Sequence, residues 1–222
     1  MTDYQDFTHD MDEFWQEAGM PVEARMTFNY PDREGASGSW VVHVHAFTND
    51  RENPLLRGHC LLHYDMRTFA IRDITKCSEA FTGKPIANVL EHLHDLYKRT
   101  PAYSFDTIVY NNIDTLRALL YIMQCSGLAA SRQLGVLTKI CRHLGRDPRI
   151  SNRLVAPLVV RYQNASEQAF LLVVRRLEKK LSNPSKDGFL KLANRIASYW
   201  GETQPAARGS LDHMARSFGK RA

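Results

Sequence analysis

The segment LLRGHCLLHYDMRTFAIRDI, residues 55–74, decides the predicted fold of the first half of this 222-residue chain. Basic and histidine residues recur between apolar ones on both sides of a tight Tyr-Asp-Met-Arg connection. Successive side chains of a β-strand point to opposite faces, so the pattern predicts two strands with one apolar face and one cationic face. We expect this segment to belong to a small barrel that binds an anionic ligand.

The neighbouring segments extend this prediction in both directions. Strand-like residues 26–30 and 40–47 flank a turn at residues 31–35 and predict a second hairpin. After Ile74 the spacing of apolar residues becomes helical, and Pro157 predicts a kink or a late start in one helix. The predicted helices are 113–125, 130–144, 152–162, 167–181 and 185–200. Strands followed by helices indicate an α+β chain, a small N-terminal β-barrel followed by an all-α helical bundle.

The predicted organisation has four parts. They are an acidic N-terminal arm (1–24), a barrel with its connector helix (25–95), a helical bundle (104–200) and a basic flexible tail (201–222), in which residues 211–218 could form one or two helical turns. In the arm, apolar residues at helical spacing predict a short amphipathic helix; they are Met11, Phe14, Trp15 and Ala18. We expect Phe14 and Trp15 to dock on the body and to bring the carboxylates of the arm close to basic surface.

Charge is distributed unevenly along the chain. The first 24 residues contain seven acidic residues and no Lys or Arg, whereas the remainder carries all 29 cationic residues against 17 acidic ones, a net charge of +12. Such a body is expected to attract polyanions, and the acidic arm is expected to oppose them. A basic surface that only aids solubility is the alternative interpretation.

The cysteines and the hydropathy pattern indicate a compartment. Four widely spaced cysteines without a Cys-x-x-Cys pair favour free thiols in a reducing cytoplasm. No apolar run approaches the roughly 18 residues of a membrane span, and the acidic N-terminus lacks the pattern of a secretory signal. We therefore expect cytoplasmic localisation and no membrane association.

Four segments resemble a known domain family in their order and spacing. They are Tyr30-Pro31-Asp32-Arg33-Glu34-Gly35, Cys60-Leu61-Leu62-His63, Arg67-Thr68-Phe69-Ala70-Ile71-Arg72-Asp73-Ile74 and Thr82-Gly83. Residues 25–95 thereby resemble the WYL domain, a small Sm-like β-barrel of bacterial regulators and defence-system proteins. The resemblance implies that basic positions bind a nucleotide or single-stranded nucleic acid, and Tyr30 and Arg67 match the family pattern directly. His63 stands where arginine is usual, Ala70 replaces another arginine, and Trp40 occupies a usually basic position.

The helical half is weakly similar to TerB-like helical bundles. The similarity covers residues 116–127 followed by 128–145. Such bundles often carry acidic metal ligands after their first helix, and the resemblance would place them at residues 126–132. No carboxylate occurs there, so we expect no metal site of that type.

Basic, histidine and aromatic side chains of the barrel form the predicted ligand-binding set. The set is Tyr30, Trp40, His43, His45, Arg57, His59, His63, Arg67 and Arg72. Three interpretations stay open: imidazoles that stack on bases or pair with phosphate, imidazoles that ligate a transition metal, and ordinary solvent-facing histidines. Metal is the least favoured, because Cys60 points to the opposite face and we expect no carboxylate to complete a ligand set.

Catalytic motifs are absent from the sequence. It contains no Gly-x-Ser-x-Gly, His-Glu-x-x-His or phosphate-cradling glycine loop. A solvated helix face explains His94 and its acidic neighbours Glu91 and Asp95. A basic helical surface is interpreted either as a phosphate-contacting stripe or as a charged solvent face; it comprises Arg175, Arg176, Lys179, Lys180, Lys186, Lys191 and Arg195.

These observations together favour a non-enzymatic, ligand-sensing regulatory protein without cofactor or metal. The barrel is expected to bind a nucleotide or single-stranded nucleic acid, and the bundle to engage a protein partner; a homodimer is a further option. The alternative is a protein–protein adaptor with no nucleic acid ligand, and a metal-dependent enzyme is a weaker third interpretation. If the acidic arm shields the basic body, deletion of residues 1–20 strengthens polyanion binding.

Overall fold

The computed structural model describes residues 12–31, 37–199 and 201–220. The chain divides into two compact units, Met1–Tyr103 and Ser104–Ala222. Unit 1 contains an antiparallel sheet and unit 2 is helical, so the chain belongs to the α+β class.

Unit 1 is built on five strands. A first helix, α1, covers residues 12–18 of the described chain. The later elements are β1 (Met20–Pro31), β2 (Ser37–Phe47), β3 (Leu55–Cys60), β4 (Asp65–Ala70), a 3-10 turn (Ile71–Asp73), β5 (Thr75–Glu79) and α2 (Val89–Tyr97). All pairings are antiparallel, and the strand order is β4-β3-β2-β1-β5. β1 and β2 form the predicted hairpin, whose turn lies mostly outside the described residues.

The sheet is not closed into a barrel. β4 and β5 are its two edges, and among the described residues each pairs on one side only. The predicted hairpin of residues 55–74 is confirmed. Its turn, predicted at residues 64–67, lies three residues earlier in the chain. The chain turns at Leu61–Tyr64, where Tyr64 adopts a φ of 56°, and β4 begins at Asp65.

Alternate strand residues form the core of unit 1. Met26 and Phe28 of β1, Val42 and Val44 of β2, and Leu56 of β3 are fully buried. These side chains share one face because side chains alternate along a strand. Trp15 of α1 is buried as expected, whereas Phe14 is 40% exposed. Met11, the other large apolar residue predicted for this helix, lies outside the described residues.

The helices of unit 2 follow the predicted periodicity. They are α3 (Pro101–Cys125), which begins in unit 1, α4 (Ala130–Gly145), α5 (Asn152–Tyr162), α6 (Glu167–Lys180), α7 (Asn183–Ser198) and α8 (Pro205–Ser217). α3 has a non-helical residue at Asn112, and α5 begins at Asn152 and continues through Pro157. No helix among these described segments combines the length and apolar character that a membrane span requires.

The prediction of a flexible tail with one or two helical turns is corrected for residues 201–220, where the helix is longer than expected. Most of this segment is α8, whose Ala207, Leu211 and Met214 are buried, as is Phe218 just beyond it. Spacings of four, three and four residues place these side chains on one helix face, which packs into the core of unit 2.

Candidate functional site

The sheet places the predicted ligand residues on two opposite faces. Val42 and Val44 are buried, so His43 between them points to the outer face of β2. Trp40 shares the core face with Val42, two residues away, and it lies opposite Phe28 of β1. The predicted set therefore does not form one continuous surface.

Four of the predicted residues come together at one end of the core face. We call Tyr30, Trp40, His63 and Arg67 the aromatic cluster. The guanidinium carbon of Arg67 lies 4.8 Å from the centre of the Trp40 ring, and the His63 ring lies 5.1 Å from it. Trp40 is half-buried and His63 is exposed, so the aromatic cluster lies partly at the surface, beside the Arg67 cation.

Hydrogen bonds and ring contacts hold the aromatic cluster in place. Trp40 Nε1 donates to the Tyr30 carbonyl oxygen at 3.3 Å, and the Tyr30 hydroxyl accepts from the Ala70 backbone N–H at 3.1 Å. Phe69 meets both aromatic rings edge-on, 5.1 Å from Tyr30 and 5.6 Å from Trp40. The cluster is thus supported from β1, β2 and β4 together.

Asp65 orients the Arg67 side chain. Arg67 Nε donates to both carboxylate oxygens, at 2.9 and 3.0 Å. The sequence pattern does not predict this ion pair, because both residues lie in the predicted connection between the two strands. In β4 the two residues are separated by two positions and share a face, which brings the carboxylate to the guanidinium.

Alternate positions of one continuous strand would place Arg57, His59 and His63 on the same face, and the structure corrects this expectation for His63. β3 ends at Cys60, and the turn that follows carries His63 towards Trp40. The other three predicted histidines stay on the strands: His43 and His59 are direct cross-strand partners of β2 and β3, and His45 lies two residues from His43 on β2.

The outer face also holds a carboxylate that we did not expect beside the histidines. Glu23 Oε2 lies 2.6 Å from His43 Nε2, and Glu23 Oε1 lies 3.5 Å from His45 Nδ1. Glu23 was counted in the acidic arm, whereas β1 begins at Met20 and includes it. The sequence signal for this part of the strand is the alternation of apolar and polar residues from Val22 to Phe28, which includes Glu23.

Two predicted ligand residues are held by other partners. Arg57 of β3 donates to the Asp12 carboxylate of α1, so the acidic arm reaches a basic residue of the sheet. Arg72 lies in the 3-10 turn and donates to Asn53 Oδ1 at 2.8 Å. Because the chain has left β4 by residue 71, Arg72 belongs to neither the aromatic cluster nor the outer-face histidines.

The basic helical surface is partly used inside unit 2. Arg176 makes a forked contact with the Asp114 carboxylate, with Nη2–Oδ1 at 2.7 Å, and Lys180 Nζ donates to the Asn111 carbonyl oxygen. These two cations therefore bridge α6 and α3 and are not simply a solvated stripe.

His94 is also not simply solvated. It packs edge-on against Phe47 at 4.9 Å, and its Nε2 lies 2.8 Å from Asn49 Oδ1. Partial burial, followed by the nearby Lys98 charge, lowers the pKa of His94 below its usual value.

The four cysteines are free, as predicted, and burial raises the pKa of Cys77 and of Cys141 to about 11.

Comparisons with protein-family models, with curated proteins and with solved structures find no match to this chain.

Proposed function

We propose that this chain is a non-enzymatic, ligand-sensing regulatory protein whose WYL-like unit 1 binds a nucleotide or single-stranded nucleic acid. The observation that carries the proposal is the position of Arg67 over Trp40, with His63 beside the same ring. Aromatic rings and guanidinium planes are the surfaces on which unstacked bases pack. Stacking of one base contributes about 1–3 kcal/mol to binding.

The orientation of Arg67 fits this role. Asp65 holds the guanidinium through Nε, which leaves its Nη atoms in reach of a phosphate oxygen of the ligand. Arginine is suited to such contacts because its planar fork donates two parallel hydrogen bonds. A base on the aromatic cluster and its phosphate on Arg67 would then be recognised together.

The curvature of the sheet supports the Sm-like barrel assignment. β4 and β5 are opposite edges of the sheet, yet only residues 71–74 connect them. A flat sheet of five strands would separate its edge strands by roughly 19 Å, whereas this connection, with its 3-10 turn, spans about 13 Å. The ring centroids of Phe28 and Phe69 lie 5.2 Å apart, although two strands separate β1 from β4 in the sheet. Such a short distance is expected of a strongly curled sheet.

Binding to a labelled single strand tests the proposal. Fluorescence anisotropy of fluorescein-labelled oligo-dT is measured with the wild type, with Arg67→Ala and with Arg51→Ala. Arg51 is an exposed arginine of the same unit, outside the aromatic cluster, so its loss changes the net charge equally. We expect Arg67→Ala to weaken binding about tenfold, from the loss of roughly 1–2 kcal/mol, and Arg51→Ala to change it less than about twofold.

Equal effects of the two variants, or no binding by the wild type, would contradict the proposal. ATP, titrated in the same assay as a competitor, separates a mononucleotide ligand from a polymeric one. The affinity for oligo-dT should fall steeply between about 50 and 200 mM salt, because phosphate contacts release counterions. The affinity of an adaptor for its protein partner would instead respond only mildly to salt.

A groove in unit 2 favours the second candidate function, a protein–protein adaptor. It has a volume of about 420 Å³ and lies between α4 and α7. Its floor is apolar and its rim carries three cations; the lining residues are Arg132, Gly135, Val136, Lys139, Ile140, Leu192, Arg195, Ile196 and Tyr199. A basic rim around an apolar floor is complementary to an acidic amphipathic helix of a partner protein.

Filling the groove tests the adaptor function. Gly135 lines the groove and a Cβ atom there would meet nothing within 4 Å, so Gly135→Leu is expected to place a side chain in the groove. Gly188 of α7 is equally open and does not line the groove, and Gly188→Leu is the control. A designed acidic amphipathic peptide should bind the wild type and the control but lose about tenfold in affinity for Gly135→Leu. Unchanged binding by Gly135→Leu would contradict this function.

The homodimer named as a further option in the sequence analysis stays a prediction.

A further inference from the structure

We propose that Glu23, His43 and His45 form a binding site for a divalent late first-row transition ion of the zinc class. The site lies on the outer face of the sheet, where β1 and β2 pair, and it is independent of the function proposed for the aromatic cluster. One ligand atom from each side chain lies within 4.8 Å of the other two, and these three residues form such a group in the described part of the chain.

The distances between the ligand atoms suit a small ion. Zinc binds histidine nitrogen and carboxylate oxygen at about 2.0–2.2 Å, so tetrahedral ligand atoms lie about 3.3 Å apart. The separations of Glu23 from His43 and from His45, 2.6 and 3.5 Å, bracket that value. The two imidazole rings are 4.4 Å apart between centroids, and each presents a ring nitrogen to a different oxygen of the Glu23 carboxylate.

Two strand irregularities meet at this site. Pro21 and Ala24 pair with Ala46 and Val44, so Val22 and Glu23 together oppose the single residue His45. On the other side, Val44 and Ala46 pair with Gly58 and Arg57, so His45 has no counterpart on β3. Bulges redirect side chains and are frequent beside functional sites. In a regular ladder Glu23 would face one histidine, whereas here it contacts both.

The chemistry of the set selects the ion. Two imidazoles with one carboxylate suit zinc and its neighbours, whereas Ca²⁺ and Mg²⁺ prefer oxygen ligands. Three protein ligands leave a coordination position for water or for an anionic ligand. The side chains of His43 and His45 are 28% and 38% exposed, so an ion can enter from solvent.

Two arginines near the proposed site contact groups other than its ligands. Arg57 is paired with Asp12, which offsets its charge. Arg25, the cross-strand partner of His43, lies over the Phe81 ring with its guanidinium carbon 5.1 Å from the ring centre. Repulsion of a divalent ion by these two arginines is therefore reduced.

Titration of the tag-free full chain with Zn²⁺ tests the site. Isothermal titration calorimetry should give one strong equivalent for the wild type, and Co²⁺ in its place should give visible d–d absorption bands. We expect Glu23→Gln and His45→Asn each to weaken Zn²⁺ binding about tenfold or more. His92→Asn, which removes a histidine of α2 in the same unit, should bind as the wild type does.

Thermal denaturation of each variant without metal distinguishes the loss of the site from the loss of the fold. Zn²⁺ should raise the melting temperature of the wild type and of His92→Asn, because the ion binds the folded state, and at the same concentration it should raise that of a folded Glu23→Gln less. Wild-type protein that binds no Zn²⁺, or Glu23→Gln and His45→Asn that bind it as tightly as the wild type, would overturn the proposal.

Discussion

Asp12 of α1 accepts a hydrogen bond from Arg57 of β3, so a carboxylate of the acidic N-terminal segment is attached to the basic face of the sheet. The Arg57 side chain is 24% exposed and that of Asp12 is 56% exposed. Through this contact an acidic residue near the N-terminus offsets the charge of a basic residue of the sheet. Such a contact is one way in which the acidic segment would oppose polyanion binding.

Asp12→Asn should strengthen polyanion binding. The substitution frees the Arg57 charge, and an exposed ion pair contributes about 0.2–1 kcal/mol, so we expect about two- to fivefold tighter binding of heparin at low salt. Glu17→Gln makes the same change of charge on an exposed residue of the same helix and is the control. Equal effects of the two substitutions would show that only net charge matters.

Gly58→Ala should destabilise unit 1. A Cβ atom at this position would lie 2.5 Å from Val42 Cγ1 and 2.6 Å from the His43 carbonyl oxygen, so the β2–β3 pair must separate. Overpacking of this kind costs about 1–3 kcal/mol. Thermal denaturation followed by tryptophan fluorescence reports mainly on this unit, because it contains Trp15 and Trp40, two of the three tryptophans of the chain. Gly38→Ala is the control, since its Cβ would make only an ordinary contact at 3.5 Å. A Gly58→Ala protein as stable as the control would contradict the close approach.

Asp147→Asn should destabilise unit 2 in a pH-dependent way. The Asp147 carboxylate accepts from Arg149 through Nε and Nη2, from the Arg149 backbone N–H, and from Ser104 Oγ. The Arg149 side chain, ahead of the other contacts, holds the pKa of Asp147 well below its usual value. A lowered pKa in the folded state contributes stability above the usual carboxyl pKa, and that contribution is lost as pH falls through the lowered value.

Urea denaturation followed by far-ultraviolet circular dichroism measures this effect. At pH 7 we expect Asp147→Asn to cost about 1–3 kcal/mol of unfolding free energy. The difference from the wild type should shrink as pH falls below about 4. Glu178→Gln, an exposed residue of α6, is the control and should show no such trend. A difference that stays constant with pH would contradict the assignment to this carboxylate.

Arg176→Ala should destabilise the α3–α6 contact, whereas Arg175→Ala should not. The Arg176 fork binds Asp114, whose side chain is only 15% exposed, and this hydrogen bond raises the pKa of Arg176. We expect a cost of about 1 kcal/mol for Arg176→Ala and a change within about 0.5 kcal/mol for the exposed Arg175. A double-mutant cycle with Asp114→Asn measures the coupling, and zero coupling would show that the contact does not stabilise the protein.

Local pattern predicted most of the secondary structure. The alternation in residues 55–74 indicated two strands, and Leu55–Cys60 and Asp65–Ala70 are those strands. The apolar period of the second half predicted helices at 130–144 and 152–162, close to the bounds of α4 and α5. These predictions succeed because side-chain direction repeats over a few residues and needs no knowledge of the partner.

The end of the chain shows where local pattern was insufficient. The Pro, Gly and Arg content of residues 201–222 indicated a flexible tail, yet α8 is helical and its apolar stripe is buried. The apolar stripe of α8 is short, and the rest of the helix surface is polar. The stability of such a helix comes from packing against other helices more than from helix propensity.

The sequence by itself determined most of the strands and helices and which face of each is apolar, because those properties follow from side-chain periods along short segments. It did not determine the short edge strand β5, which follows Ile74 where helical spacing was predicted, or the helix α8. Tertiary structure alone decided that Glu23 contacts His43 and His45, and that His63 lies beside Trp40. Both outcomes depend on strand register, on bulges between paired strands and on the direction of a turn, which join residues far apart in sequence and leave little mark on any one segment.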